Sequence, residues 1–170
     1  MTLKTPIINI MTKAAYKAGN ILIKDFREVE NLQVSKKGIG DFVTSADLNS
    51  EKTIIKILEK AYPEIKIISE ETNPEINLNN HEKKLIIDPL DGTLNFLHGL
   101  PHFAISIALM IKEEIISGII FDPIKDELFW AEKGVGAFLN NKRIRVSGRR
   151  LLKDALVSTG IPWKGMESSH

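Results

Sequence analysis

The 170 residues include no cysteine, which excludes a disulfide framework and any thiolate metal site, so metal ligands must be oxygen or histidine. An excess of charge is lacking as well. The 23 Lys and Arg nearly cancel the 22 Asp and Glu, so no global field favours nucleic acid or an anionic membrane, and only Lys142 to Arg150 is locally basic. Long apolar runs are missing: the longest, near Phe103 to Ile111, is too short to span a bilayer. Met1-Thr-Leu-Lys-Thr-Pro6 lacks the basic region and apolar stretch of a secretory signal, and we expect a soluble, cytoplasmic protein with no membrane partner. There is no internal repeat and no low-complexity tract. What remains, 43% hydrophobic and 26% charged, suits one globular domain with a real core.

Thr5-Pro6 reads as a helix N-cap followed by proline at the first helical position, and Ile7, Met11, Ala14, Ala18, Leu22 and Phe26 recur at helical spacing. A second amphipathic helix is expected from about Ser45, with Leu48, Ile55, Leu58 and Tyr62 on one side, a stop at Pro63, and Asp47 in its first turn. Ile65 to Ser69 and Leu85 to Asp88 read as buried strands ending in acids, with a solvent-exposed excursion from Thr72 to Lys84 between them. Strands then follow in succession over Ala104 to Ile111, Ile115 to Phe121 and Glu127 to Glu132, with tight turns at Gly134, Gly136 and Asn140-Asn141 and one more strand from Ala155 to Gly160. The predicted fold is α+β, two N-terminal helices packed on one face of a mainly antiparallel sheet.

Chemistry concentrates in Ile86-Ile-Asp-Pro-Leu-Asp-Gly-Thr-Leu-Asn-Phe96. Asp88 leaves a strand, Pro89 stiffens the exit, and Asp91 returns a second carboxylate; with the Leu90 carbonyl they offer a hard cation several oxygens in a small volume. Gly92 lets a phosphate approach the backbone, and a helix starting there would present N–H groups to it. Taken alone, Asp-Pro and Asp-Gly pairs are more often turn formers, and Asp122-Pro123 is read that way. The company of Glu70-Glu71 at the preceding strand end, and of Asp47 with Thr44 just before it, favours the metal reading. Such a cluster repels itself and raises its own pKa values, a cost that a bound cation removes.

Asp41-Phe-Val-Thr-Ser-Ala-Asp47, Ser69-Glu-Glu71 and Asp88-Pro-Leu-Asp-Gly-Thr-Leu-Asn-Phe96 resemble, in order and spacing, the three N-terminal signatures of the inositol monophosphatase family. His98-Gly-Leu-Pro-His102 is similar to its bacterial extragenic-suppressor branch. The resemblance runs to Gly160 and implies an N-terminal domain over 1–160 of a layered α/β sugar-phosphatase fold, with 161–170 a disordered tail. It implies that Glu70, Asp88 and the Leu90 carbonyl bind one Mg2+ and that Asp88 and Asp91 share a second. Asp47 and Thr93 would orient and deprotonate the attacking water, Gly92, Thr93 and Asp91 would contact the substrate phosphate, and Glu71 would stand behind the ligands. Lys36, in a mobile loop Lys36 to Asp41, would aid a further metal. The implied reaction is Mg2+-dependent hydrolysis of a phosphate monoester, inositol 1-phosphate or a related sugar phosphate, by two-metal activation of water.

The family continues into a C-terminal α/β segment with a Trp-Asp signature, and the chain has none: Trp130 precedes Ala131 and Trp163 precedes Lys164. By the resemblance, that segment is expected to be absent, a ligand of the second metal with it, and the surface that would pack on it is expected to be exposed and apolar. Two other readings compete with a phosphatase: a non-catalytic remnant, and, since the resemblance is to a bacterial branch whose members act with the transcription machinery, a regulatory module that binds that machinery or RNA. A homodimer is implied by the family. His81, His98, His102 and His170 lack ligand spacing and are assigned no role; the basic residues from Lys142 to Arg150 read as a solvated sheet edge, and Gly134-Val-Gly136 as a turn rather than a nucleotide loop.

Overall fold

The chain is described here by a computed structural model covering residues 4–33, 39–71 and 82–159, with backbone alone for 30–33 and 39–44. Two long helices, α1 (Pro6–Gln33) and α2 (Ile39–Ala61), precede strands β1 (Lys66–Ser69) and β2 (Lys83–Asp91), a short helix α3 (Thr93–Leu97), and a run of β3 (Ala104–Ile111), β4 (Glu114–Asp122), β5 (Glu127–Glu132), β6 (Gly136–Leu139) and β7 (Lys142–Ile144). The strands form a single sheet in sequence order, β1 parallel to β2 and every later pair antiparallel. This is the expected helix pair on a mainly antiparallel sheet. No helix among the described residues is long and apolar enough to cross a membrane.

The alternation of the strands decides which face is covered. Ile105, Ile107 and Leu109 of β3, Ile119 and Phe121 of β4, Leu128 and Trp130 of β5 and Phe138 of β6 are buried in one core with Ile8, Met11, Ala15, Ala18 and Leu22 of α1 and Ile54 and Leu58 of α2. α1 lies over β3 and β4, and α2 over β1 and β2. The approach is close at Gly19, where a Cβ would stand 2.6 Å from the Phe121 ring. The opposite face exposes Ile115, Ile120, Phe129 and Ile144 around a shallow hollow of about 650 Å³ floored by small residues such as Ala108, Gly118 and Ala137.

Some boundaries depart from expectation. α2 begins at Ile39 rather than near Ser45, which puts Asp47 about two turns inside the helix and makes Ile39 to Asp41 helical instead of loop. Gly40, Thr44 and Ser45 are weak helix formers and read as a helix start, but packing on α1 outweighs local propensity. The expected strand from Ala155 is not formed over Ala155 to Thr159; Leu156 and Val157 stand exposed. Lys36, His81, most of the excursion from Thr72 to Lys84, Gly160 and the expected tail 161–170 lie outside the described residues.

The turns behave as their residues suggest, with one exception. Asp122 Oδ1 accepts from the Ile124 and Lys125 amides, so Asp122-Pro123 is the turn former it was read to be. Lys112 and Glu113 form the two-residue β3–β4 turn with φ of 50° and 68°, a left-handed pair that side chains resist and Asn-Gly accepts. The Lys112–Glu82 ion pair there is exposed and contributes little. Replacing Lys112-Glu113 with Asn-Gly should therefore stabilise the domain by about 1 kcal/mol, read in a urea melt as a higher midpoint with unchanged slope.

Candidate active site

The Asp-Pro-Leu-Asp segment is built on an interruption of the sheet. In the β2–β3 pairing Asp88 faces Ser106 and Asp91 faces Ala104, so β2 carries one extra residue and bulges at Pro89-Leu90. A bulge removes backbone groups from the ladder, and buried ones need other partners. Three side chains supply them. Asp88 Oδ1 accepts from the Leu90 amide at 3.1 Å, Ser50 Oγ donates to the Pro89 carbonyl at 2.8 Å, and Thr93 Oγ1 donates to the Leu90 carbonyl at 3.0 Å.

Gly92 follows with φ 91°, a left-handed conformation that turns the chain from β2 into α3, and a Cβ there would stand 3.0 Å from the His102 carbonyl. Among the described residues no side chain caps the N-terminus of α3. A triangle of Phe26, Phe96 and Phe103, with ring centroids 5.0–5.4 Å apart, holds α3 on α1, and Asn95 Nδ2 donates to the His102 carbonyl at 2.7 Å. His102 acts here through its backbone, and neither His98 nor His102 joins the acids. Asp91 and Gly92 also border a hollow of about 390 Å³ whose far side carries Asp122, Lys125 and Glu127.

Five acids from three elements meet beside this bulge. Asp47 of α2 is buried, and its carboxyl is pushed up to about 8, first by burial, then by the charge of Glu71 and a hydrogen bond with it, and further by Asp88 and Glu70. Asp88 is half-buried and pushed up to about 7, first by burial and then by Glu70 and Asp91, against the Leu90 amide that favours its charged form. Asp88 also shares a hydrogen bond with Glu70. The structure thus brings together Asp47, Glu70, Glu71, Asp88 and Asp91, and puts the Leu90 carbonyl, Gly92 and Thr93 on the adjoining turn.

Among the described residues no three His, Asp or Glu side chains stand spread at metal-binding spacing. The donors nonetheless suit a hard divalent cation. They are all oxygens, and Asp47 Oδ1 is buried with no hydrogen-bond partner among the described residues, as is Ser69 Oγ next to Glu70. A bound cation would offset the crowding of these acids and give the unpartnered Asp47 oxygen a partner. Sequence reading missed Ser50, which is fully buried, and Glu51, buried beside it; their spacing of three and four residues from Asp47 puts them on its side of α2, a signal that was available.

Known proteins resemble this chain over nearly its whole length. A family model described as "Inositol monophosphatase family" matches residues 3–169. The curated relatives include an "Inositol-1-monophosphatase" of Rhizobium meliloti (strain 1021), 48% identical over 162 residues, and a "Nus factor SuhB" of Escherichia coli (strain K12), 42% identical over 162 residues; both alignments cover 95% of this chain and 60% of the relative. The crystal structure of extragenic suppressor protein suhB from Bartonella henselae superposes with a TM-score of 0.76 at 45% identity, over 88% of this chain and 58% of that one. The chain therefore spans about three fifths of the length of the relatives it matches.

Proposed function

Because the chain belongs to the inositol monophosphatase family, we propose that it contributes to Mg2+-dependent hydrolysis of a small phosphorylated polyol or sugar, inositol 1-phosphate being the first substrate to try. The observation that carries this reading is the convergence of Asp47, Glu70, Asp88 and Asp91 on one bulge, where burial and the neighbouring acids raise the pKa of Asp47 and of Asp88. Glu70, Asp88, Asp91 and the Leu90 carbonyl would hold Mg2+. Bound there, the cation would supply a water nucleophile at neutral pH and offset charge on the phosphoryl oxygens.

The chain's own groups define the remaining parts. Asp47, buried and inclined to hold a proton near neutral pH, would take one from the attacking water. Thr93 Oγ1, held by the Leu90 carbonyl at 3.0 Å, would orient that water, while Glu71 holds the Asp47 carboxyl through their hydrogen bond. Gly92, whose φ of 91° turns the chain into α3, would present its backbone with Thr93 and Asp91 to a phosphate.

Phosphate release from inositol 1-phosphate by the purified chain, titrated with Mg2+, tests the proposal. Saturable release that EDTA abolishes is the expected result; a folded chain that releases none across millimolar Mg2+ would overturn it. A second reading, a regulatory role, draws on the "Nus factor" relatives and on the exposed basic residues Lys142, Arg143, Arg145, Arg149 and Arg150. Salt-sensitive retention of the chain on RNA, with no phosphatase activity, would favour it.

A further inference from the structure

We propose that Ser50 is a positioning residue for this site: its hydroxyl ties the helix that carries Asp47 to the bulge that carries Asp88, Leu90 and Asp91. The inference rests on the reading given under Proposed function and adds a residue to it. Pro89 O and Leu90 N belong to one planar peptide group, and no cis peptide occurs among the described residues. The carbonyl end of that plate accepts from Ser50 Oγ at 2.8 Å, and the amide end donates to Asp88 Oδ1 at 3.1 Å. One rigid unit therefore links α2 to the Asp88 carboxyl.

The placement makes the link directional. Ser50 lies three residues beyond Asp47 on α2, on the same side of the helix, so pinning Ser50 sets the height and rotation at which Asp47 meets the bulge. Ser50 is fully buried and Pro89 is buried with it, so no bulk water stands ready to replace the hydroxyl. Packing of Ile54 and Leu58 holds α2 on the core, but apolar contacts are non-directional and do not fix the tilt of a peptide plane. With Ser50 shortened to alanine, the plate loses its carbonyl anchor, the Leu90 amide wanders from Asp88 Oδ1, and the carboxyl that would face the cation is no longer held in one orientation. Partners of metal ligands commonly carry effects on the order of 10- to 100-fold in metal affinity.

The test uses Mn2+ alone as probe, its free concentration followed by electron paramagnetic resonance, on the full chain without substrate. Ser50→Ala is expected to weaken Mn2+ binding about tenfold and to lower kcat for inositol 1-phosphate comparably, with KM within about twofold of wild type. Trp130→Phe, which loses the Trp130 Nε1 bond to the Asn140 carbonyl in the distant β5–β6 region, should melt lower yet bind Mn2+ as wild type does. If Ser50→Ala does not fold, Ser50→Cys, similar in size and a weak donor, replaces it with the same expectation. Unchanged Mn2+ binding in the Ser50 variant, or equal weakening in Trp130→Phe, overturns the assignment. If the wild type binds Mn2+ but releases no phosphate, the proposed activity fails while the Mn2+ comparison still decides Ser50; if it binds no Mn2+, both fall.

Discussion

Asp88→Asn should lower Mg2+-dependent phosphate release on the order of 10³-fold while leaving the protein no less stable in EDTA at pH 8. The side-chain oxygen of asparagine can still accept from the Leu90 amide, as Asp88 Oδ1 does at 3.1 Å, and its amide can donate to Glu70, so the bulge keeps its bonds. Only the charge is lost. That charge is what a cation needs, and it is also what burial and the neighbouring acids oppose, since Asp88 is pushed up to about 7 and itself helps to raise Asp47. A substitution that merely damaged the fold would lower the melting temperature along with activity. Phosphate release and thermal melts on the same preparation separate the two, and retained activity in the variant would remove Asp88 from the proposed ligand set.

In EDTA, the melting temperature should fall as pH rises from about 5 to 8, and Mg2+ should restore it mainly at the upper end. Asp47 at about 8 and Asp88 at about 7 both lie above the ordinary carboxyl value of 3.8. Between that value and about 8 the folded chain holds protons that the unfolded chain releases, so stability is greatest at acid pH and declines as these groups ionise. The two groups share neighbours, so their effects do not add; together they are worth on the order of a few kcal/mol, or roughly 5–10 °C for a chain of this size. At pH 5 protons compete with the cation, whereas at pH 8 the carboxylates are free to receive it. Calorimetry at both pH values, with and without Mg2+, checks the sign. A flat profile in EDTA would mean that the acids do not crowd one another as described.

Much of this was legible in the sequence because it is local. The strand meander follows from alternation such as Ile105, Ile107, Leu109 and from turns at Asp122-Pro123 and Asn140, where one neighbour specifies the next. The acids at Glu70, Asp88 and Asp91 could be grouped because parallel β1 and β2 bring their ends together. The start of α2 was misread because Gly40, Thr44 and Ser45 argue locally for a helix boundary and α1 overrides them from afar. Ser50 was missed for a related reason: its spacing puts it on the Asp47 side of α2, but the carbonyl that gives it a task lies 39 positions away.

The sheet's strand order also bears on how the molecule is made. Each strand from β2 to β7 pairs with its predecessor, so the hairpins can close one after another as the chain leaves the ribosome. The N-terminal helix cannot be finished in that way: Tyr16 packs on Phe121 at 4.3 Å, and Thr5 donates to Glu132, 127 positions later. At about 5–20 residues per second, the apolar stripe of α1 waits roughly 6–25 s for the strands that will cover it. Throughout that interval the nascent chain offers an uncovered amphipathic helix to any chaperone at the exit tunnel.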